Sequence, residues 1–173
     1  INNYIFISPN GTTIDDFDVY DYTQANANLY GGEAGVHFHP HPLDWLHFTS
    51  SFESVTGKKQ NGDNLPLIPA NKLNNSIKTE FKQSKYIKDG FAVLNIEYTL
   101  RQNNPSQFET KSNDYTILNL GFGGKVTFKK TVFDINLNVN NLFDKTYISH
   151  LSRLKTDGIP NMGRNIVLAV NFV

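Results

Sequence analysis

With 173 residues, no cysteine, and 16 Lys plus Arg against 16 Asp plus Glu, the chain has the length of about one domain and no net charge. Balanced charge gives no electrostatic reason to expect nucleic acid or an acidic partner, and the lack of cysteine excludes a disulfide scaffold and thiolate metal centres. No window approaches the roughly 20 consecutive apolar residues of a membrane-spanning helix, although a barrel strand needs apolar residues only at alternate positions.

Alternation and turn chemistry predict about eight strands. Ile1–Ser8 is the first, ended by the turn signal Pro9-Asn10-Gly11. A long strand follows over Asp18–His39. Ala25, Ala27 and Leu29 share a face before Gly31-Gly32, and Ala34, Val36 and Phe38 continue in the opposite phase after it. That phase change predicts a β-bulge at the two glycines. Pro40-His41-Pro42-Leu43 predicts a tight reversal, since proline has no N–H to give a ladder. The third strand spans Asp44–Gly57, with Leu46, Phe48 and Phe52 on one face, and a polar loop runs from Lys58 to Pro69. Asn71–Ser84 sets Leu73, Ile77 and Phe81 against Lys72, Lys78, Glu80 and Lys82, and a turn is expected around Lys88-Asp89-Gly90.

Phe91–Gln102 opposes Leu94, Ile96, Tyr98 and Leu100 to Asn95, Glu97, Thr99 and Arg101. After a polar loop over Asn103–Asn113, Asp114–Phe128 lines one side with Leu118, Leu120 and Phe122, and Lys129-Lys130 forms a two-residue turn. The next strand has the sharpest pattern: Phe133, Ile135, Leu137 and Val139 alternate with Asp134, Asn136, Asn138 and Asn140. Asp144–Gly163 is a long loop, and Ile166, Leu168, Val170 and Phe172 alternate along the final strand.

The connections carry their own argument. Long polar links (residues 9–17, 58–69, 103–113 and 144–163) alternate with short ones (residues 40–43, 86–90 and 129–130). Long loops outside and tight turns inside are how outer-membrane barrels are built. Phe38, Trp45, Phe91, Phe128, Phe133 and Phe172 fall near the short turns, and Tyr98, Tyr115 and Phe143 near the long loops, which predicts two aromatic girdles. The fold expected is all-β, an antiparallel transmembrane β-barrel segment with lipid on its apolar side and water on its polar side. A chain that opens at Ile1, without initiator Met or signal peptide, is expected to be a portion or processed product of something longer. If the strands do not close, Ile1–Ser8 and Arg164–Val173 are its open edges.

Several segments, in order, resemble the C-terminal part of TonB-dependent outer-membrane receptors. They are Gln24-Ala25-Asn26-Ala27-Asn28-Leu29-Tyr30-Gly31-Gly32-Glu33-Ala34, Leu65-Pro66-Leu67-Ile68-Pro69, and Phe108-Glu109-Thr110 through Tyr115-Thr116-Ile117-Leu118-Asn119-Leu120-Gly121. The closing set is Asn141-Leu142-Phe143-Asp144-Lys145-Thr146-Tyr147, His150-Leu151-Ser152-Arg153-Leu154, Gly158-Ile159-Pro160 and Gly163-Arg164-Asn165. The family usually ends on an aromatic residue; here Phe172 is followed by Val173. The resemblance implies that residues 1–173 are about eight strands of a barrel of about 22, with a plugged lumen. It further implies active uptake of a scarce nutrient across the Gram-negative outer membrane, a ferric siderophore or other iron chelate first, with cobalamin, haem, another metal or a sugar as alternatives. Its partners would be outer-membrane lipid, the small-molecule nutrient, and the TonB energy-coupling complex, reached through an N-terminal plug region that these residues do not contain; no nucleic acid is expected. Two readings compete with it: a self-contained eight-stranded barrel acting as an adhesin or structural protein, and a soluble β-sandwich binding module.

The residues also nominate sites. His37, His39 and His41 recur at every second position and His47 lies across the turn; if Phe38 pairs with Leu46, His37 faces His47. Imidazoles within reach of one another suit zinc, copper or nickel. The first expectation is nonetheless no metal, the rings being polar wall residues, with His37, His39 and His47 as the candidates against it. Tyr147, His150, Arg153 and Lys155 offer the best contacts for an anionic ligand, against a reading as ordinary loop residues. Lys72, Lys78, Glu80 and Lys82 read as a hydrated wall. Gly121-Phe122-Gly123-Gly124 lies within a strand, no nucleophile motif is present, and neither a cofactor nor enzymatic activity is expected.

Overall fold

The computed structural model describes residues 1–83 and 86–172, and the regular structure within them is extended throughout. Strands β1 (Tyr4–Ile14) and β2 (Phe17–Ala25) pair as a hairpin. Strands β3 (Ala27–Phe38), β4 (Leu46–Lys59), β5 (Lys72–Gln83), β6 (Ile87–Thr99), β7 (Tyr115–Phe128), β8 (Thr131–Asn140) and β9 (Asn165–Phe172) form one seven-stranded antiparallel sheet in chain order.

The register turns the alternation of each strand into two continuous surfaces. Phe38, Phe48, Ile77, Leu94, Leu120, Val139 and Ile166 are successive cross-strand partners, one apolar residue from each of the seven strands. One position over, on the other face, His37, Thr49, Ser76, Asn95 and Asn119 stand side by side. A strand's side chains alternate between faces, so a slip of one residue at any pairing would break both rows. Among the described residues no second layer covers the apolar row: Phe38 is 56%, Ile77 38% and Ile166 66% exposed. Buried hydrophobic side chains among the described residues are confined to Ala27, Leu65, Ala70, Tyr115 and Ile117. A two-sheet sandwich would bury the apolar row against a facing sheet, so that competing reading is overturned and the open barrel segment stands. The eight-stranded closed barrel is not formed either, because β3 and β9 stand at opposite ends of an open sheet.

Several boundaries differ from those expected. Pro9-Asn10-Gly11 does not end the first strand; β1 runs through it with a register shift between Pro9 and Thr13, and the hairpin turns at Asp15-Asp16 instead. Both aspartates have left-handed φ (51° and 67°), the geometry of a two-residue turn whose twist matches the flanking strands. The long strand expected over Asp18–His39 is divided at Asn26 into β2 and β3, which gives nine strands among the described residues in place of eight. Hydrogen bonding changes sides there: Asn26 O accepts Gln60 N–H at 2.9 Å in continuation of the β3–β4 pairing, while Ala27 exchanges bonds with Ile1 on the other side. Ile1–Ser8 is therefore not the free edge of the wall, since β1 pairs with β2; β3 and β9 hold the two ends of the sheet.

No bulge forms at Gly31-Gly32. The β3–β4 ladder is unbroken from Ala27↔Lys59 to Phe38↔Phe48, so the change of phase is real: Leu29 and Phe38 lie on opposite faces. Gly31 is required by closeness, because a Cβ there would meet Ser54 O at 2.2 Å. The turn signal Lys88-Asp89-Gly90 lies inside β6 and is used as a bulge, with the register shifting between Lys88 and Phe91 and Asp89 at φ 49°. Ser84, the expected end of the preceding strand, lies outside the described residues. Phe91 and Tyr115 are not girdle residues: their partners Glu80 and Thr99 place both on the polar face. Lys129-Lys130 does make the predicted tight turn, with Phe128 opposite Thr131 and Lys129 at φ 57°.

Candidate functional site

Two groups of polar side chains gather at opposite ends of the polar face. At one end, the connections at residues 60–71, 100–114 and 141–164 converge on Glu109. Its Oε1 accepts Leu67 N–H at 2.9 Å, while Oε2 accepts Ser106 N–H at 3.0 Å and the Ser106 hydroxyl at 2.8 Å. His150 Nε2 lies 3.9 Å from the same carboxylate, and His150 Nδ1 is 2.8 Å from the Ser112 hydroxyl. Gln102 Nε2 donates to the carbonyls of Ile68 and Pro69 at 3.0 and 3.1 Å, and Asn64 Nδ2 to that of Pro105 at 3.1 Å. Leu65 anchors the first loop, with no exposed surface, over a glycine: a Cβ on Gly57 would come within 2.7 Å of Ile68 and 3.0 Å of Leu65. Three segments of the family resemblance, around Leu67, Glu109 and His150, thus meet in space.

Burial works against the Glu109 carboxylate, but the two backbone N–H groups, the Ser106 hydroxyl and nearby His150 together hold it below the usual glutamate range. Burial lowers His150 from its ordinary value, the ammonium of Lys155 adds to the shift, and Glu109 opposes it. Lys155, which donates to Thr110 O, is itself lowered by burial, with Glu109 again opposing. Tyr147 packs against Tyr115 with ring centroids 4.5 Å apart and planes tilted by 36°, and burial raises its phenol. Of the residues expected to meet an anionic ligand, then, Tyr147, His150 and Lys155 are engaged within this cap, whereas Arg153 is exposed. Sequence reasoning missed Ser112 and Gln102, whose roles depend on pairing across loops. Below the cap, a recess of about 450 Å³ is lined by Glu33, Glu53, Lys72, Thr99, Tyr115 and His150 among others.

The closing segment explains itself locally. Asn141, 4% exposed and at φ 51°, donates from Nδ2 to Lys145 O at 2.9 Å and accepts Lys145 N–H at 2.8 Å. Asp144 Oδ1 accepts Arg164 N–H at 2.8 Å, and Gly163 is needed because a Cβ would stand 2.6 Å from that oxygen. These contacts tie both ends of the long β8–β9 loop together.

At the other end of the face, His37, His39 and His47 converge, each offering a ring nitrogen within 4.8 Å of the others. The pairing that brings them together is displaced from the expected one: Phe38 faces Phe48 rather than Leu46, so His37 faces Thr49. The displacement is an even number of residues and leaves all three imidazoles on one face. Ring centroids are 4.3 Å apart for His37–His39 and for His39–His47, and 5.9 Å for His37–His47. His41 lies outside this group, fully solvated and 3.7 Å from Asp44. An adjoining groove of about 930 Å³ is lined by Trp45, Lys78, Glu80, Phe81 and Phe91 among others.

A single-layer antiparallel wall with one polar face, capped at one end by interlocked loops and turning tightly at Lys129-Lys130 at the other, defines the class as a segment of outer-membrane-type β-barrel. The chain belongs to the TonB-dependent receptors: the family described as "TonB dependent receptor-like, beta-barrel" matches residues 1–142. Barrels of that family sit in the Gram-negative outer membrane, and membership of the family implies TonB coupling and a small-molecule substrate for its whole receptors. The fold is similar to that of a solved chain titled "Copper transporter OprC", with TM-score 0.79 and 20% identity over 98% of this chain. The chain spans 27% of that neighbour's length.

Proposed function

We propose that this chain forms part of the outer-membrane barrel wall of an active importer, energised through TonB, whose cargo is a ferric siderophore or similar iron chelate. The observation that carries the reading is the pair of continuous rows across all seven wall strands, apolar from Phe38 to Ile166 and polar beside it. In this reading hydrocarbon bathes the exposed apolar row, and water and cargo meet the polar one. The interlocked loops face outward and the recess beneath them, with charged Glu33, Glu53 and Lys72, lies on the cargo's route. The protein is not an enzyme in this proposal: Ser112, though 2.8 Å from His150, is 7% exposed and serves the loop cap.

The test is growth of cells lacking the protein, and of the same cells complemented, on single sources of iron. Loss of growth on a ferric siderophore, restored by the intact gene only when TonB is present, is the expected result. Unimpaired growth on every iron chelate, with a defect confined to haem, cobalamin, a copper source or a sugar, would overturn the cargo and leave the importer class standing.

A further inference from the structure

We propose that His37, His39 and His47 form a binding site for a divalent late first-row transition metal, copper(II) most tightly and zinc or nickel less so. The site lies on the polar face where β3 turns into β4, and it is independent of which nutrient the barrel carries. Three neutral imidazoles are a donor set of intermediate softness, which these cations prefer, and copper stands highest in the affinity order for such ligands.

Geometry supports the assignment. Nitrogens bound at about 2.0–2.1 Å lie roughly 3.4 Å apart around tetrahedral zinc and roughly 2.9 Å apart at cis positions of tetragonal copper(II). The three rings already bring their nitrogens within 4.8 Å of one another. His37 and His39 are exposed, so their χ1 and χ2 are free to turn towards a shared ion.

A second observation points the same way. His47 Nε2 is shut away from solvent and makes no hydrogen bond. Buried ring nitrogens are rarely left unpaired, because the lost hydration is uncompensated, and a cation at this point would supply the missing partner. Glu80 Oε2 stands 3.6 Å from that nitrogen, close enough to orient the ring or to complete the ligand set. Lys78 Nζ lies 2.5 Å from Glu80 Oε1 and balances its charge, which leaves the imidazoles as the principal donors. An ion reaches the site directly, because His37 and His39 are open to solvent.

The full-length protein, purified in detergent and stripped with a chelator, is titrated with copper(II) chloride and zinc chloride by calorimetry against a competing chelator. The parent is expected to bind one cation per chain that the His37→Gln/His39→Gln/His47→Gln variant does not, and His39→Gln alone to weaken it at least tenfold. His41→Gln is expected to match the parent. The copper(II) electron paramagnetic resonance spectrum should show nitrogen splitting that diminishes in each single variant. Cations held elsewhere persist in the triple variant and cancel in the difference. Heat-modified gel migration confirms that each barrel is assembled; should the triple variant fail to assemble, exposed His39→Gln decides the question. No difference between parent and His39→Gln, or an equal loss in His41→Gln, would overturn the site.

Discussion

The Ser112 hydroxyl lies 2.8 Å from His150 Nδ1, joining the β6–β7 loop to the β8–β9 loop across 38 residues of sequence. Both groups are buried, and Glu109 completes the connection to the β4–β5 loop through Leu67 N–H. Three segments that a strand-by-strand reading treats as separate hydrophilic links are one cooperative cap.

That cap should respond to acid. His150 is held below its ordinary value of 6.5 in the folded loops, so the unfolded loops bind more protons as pH falls towards and below that value. The stabilisation is complete above the unfolded pKa and is lost on acidification. Glu109, held below 4.5, loses its contribution in the same direction at still lower pH. Amide hydrogen exchange in residues 100–114 and 141–164, corrected for intrinsic rates, should accelerate from pH 7.5 to pH 5.5. His150→Gln should flatten that dependence, and an unchanged profile would count against the titration.

Leu65→Ala should loosen the same cap from its apolar side. Removing a fully buried leucine costs about 2–5 kcal/mol, here spent on local opening of residues 60–71 rather than on the sheet. Limited proteolysis should therefore cut this loop faster while the heat-modified migration of the barrel stays unchanged.

Ile135→Arg and Asn136→Arg test which face meets hydrocarbon. The two residues are neighbours on β8, with Val170 and Ala169 as their β9 partners. A mid-bilayer arginine on the lipid side costs about 2–4 kcal/mol, whereas one on the lumen side is mild. Urea unfolding in lipid vesicles should separate the two variants by that amount, and equal tolerance would contradict the sidedness.

Asn141→Ala removes two reciprocal bonds to Lys145 and a residue type suited to left-handed φ. Both bonds are only partly buried and Lys145 is exposed, so water takes up the freed groups and each bond is worth about 0.5–1.5 kcal/mol. The expected outcome is a lower unfolding midpoint, with faster exchange at Lys145 N–H as the local signature. Rescue by Asn141→Gly is expected for the φ requirement alone, so its midpoint should fall between those of parent and alanine variant.

Much of the wall was legible because strand alternation is a local property. Phe133 through Asn140 reads correctly at sight, and the row from Phe38 to Ile166 needs only the right registers to assemble. Turn chemistry was less informative, because the residues that make turns also make bulges. Asp89-Gly90 and Pro9-Asn10-Gly11 carry turn signals that the ladder absorbs, whereas Asp15-Asp16 turns the chain with no glycine. The candidate sites divide in the same way. Spacing alone places His37 and His39 on one face, and the strand pairing adds His47. The Glu109 cap could not be read, because Leu67, Ser106, Ser112 and His150 are brought together by loop docking, which leaves no periodic trace.

The change of partner at Asn26 and Ala27 has a consequence for how such a wall can vary. Up to that point the strand pairs within its own hairpin, touching the wall through Ile1 at Ala27 and Phe6 under Lys59; beyond it, every residue from Ala27 to Phe38 is committed to the neighbouring strand. Residues 1–25 can therefore lengthen, shorten or change chemistry without severing a rung of the β3–β4 ladder. Variation is cheapest in this hairpin, which the seven-stranded ladder does not need for its own pairing.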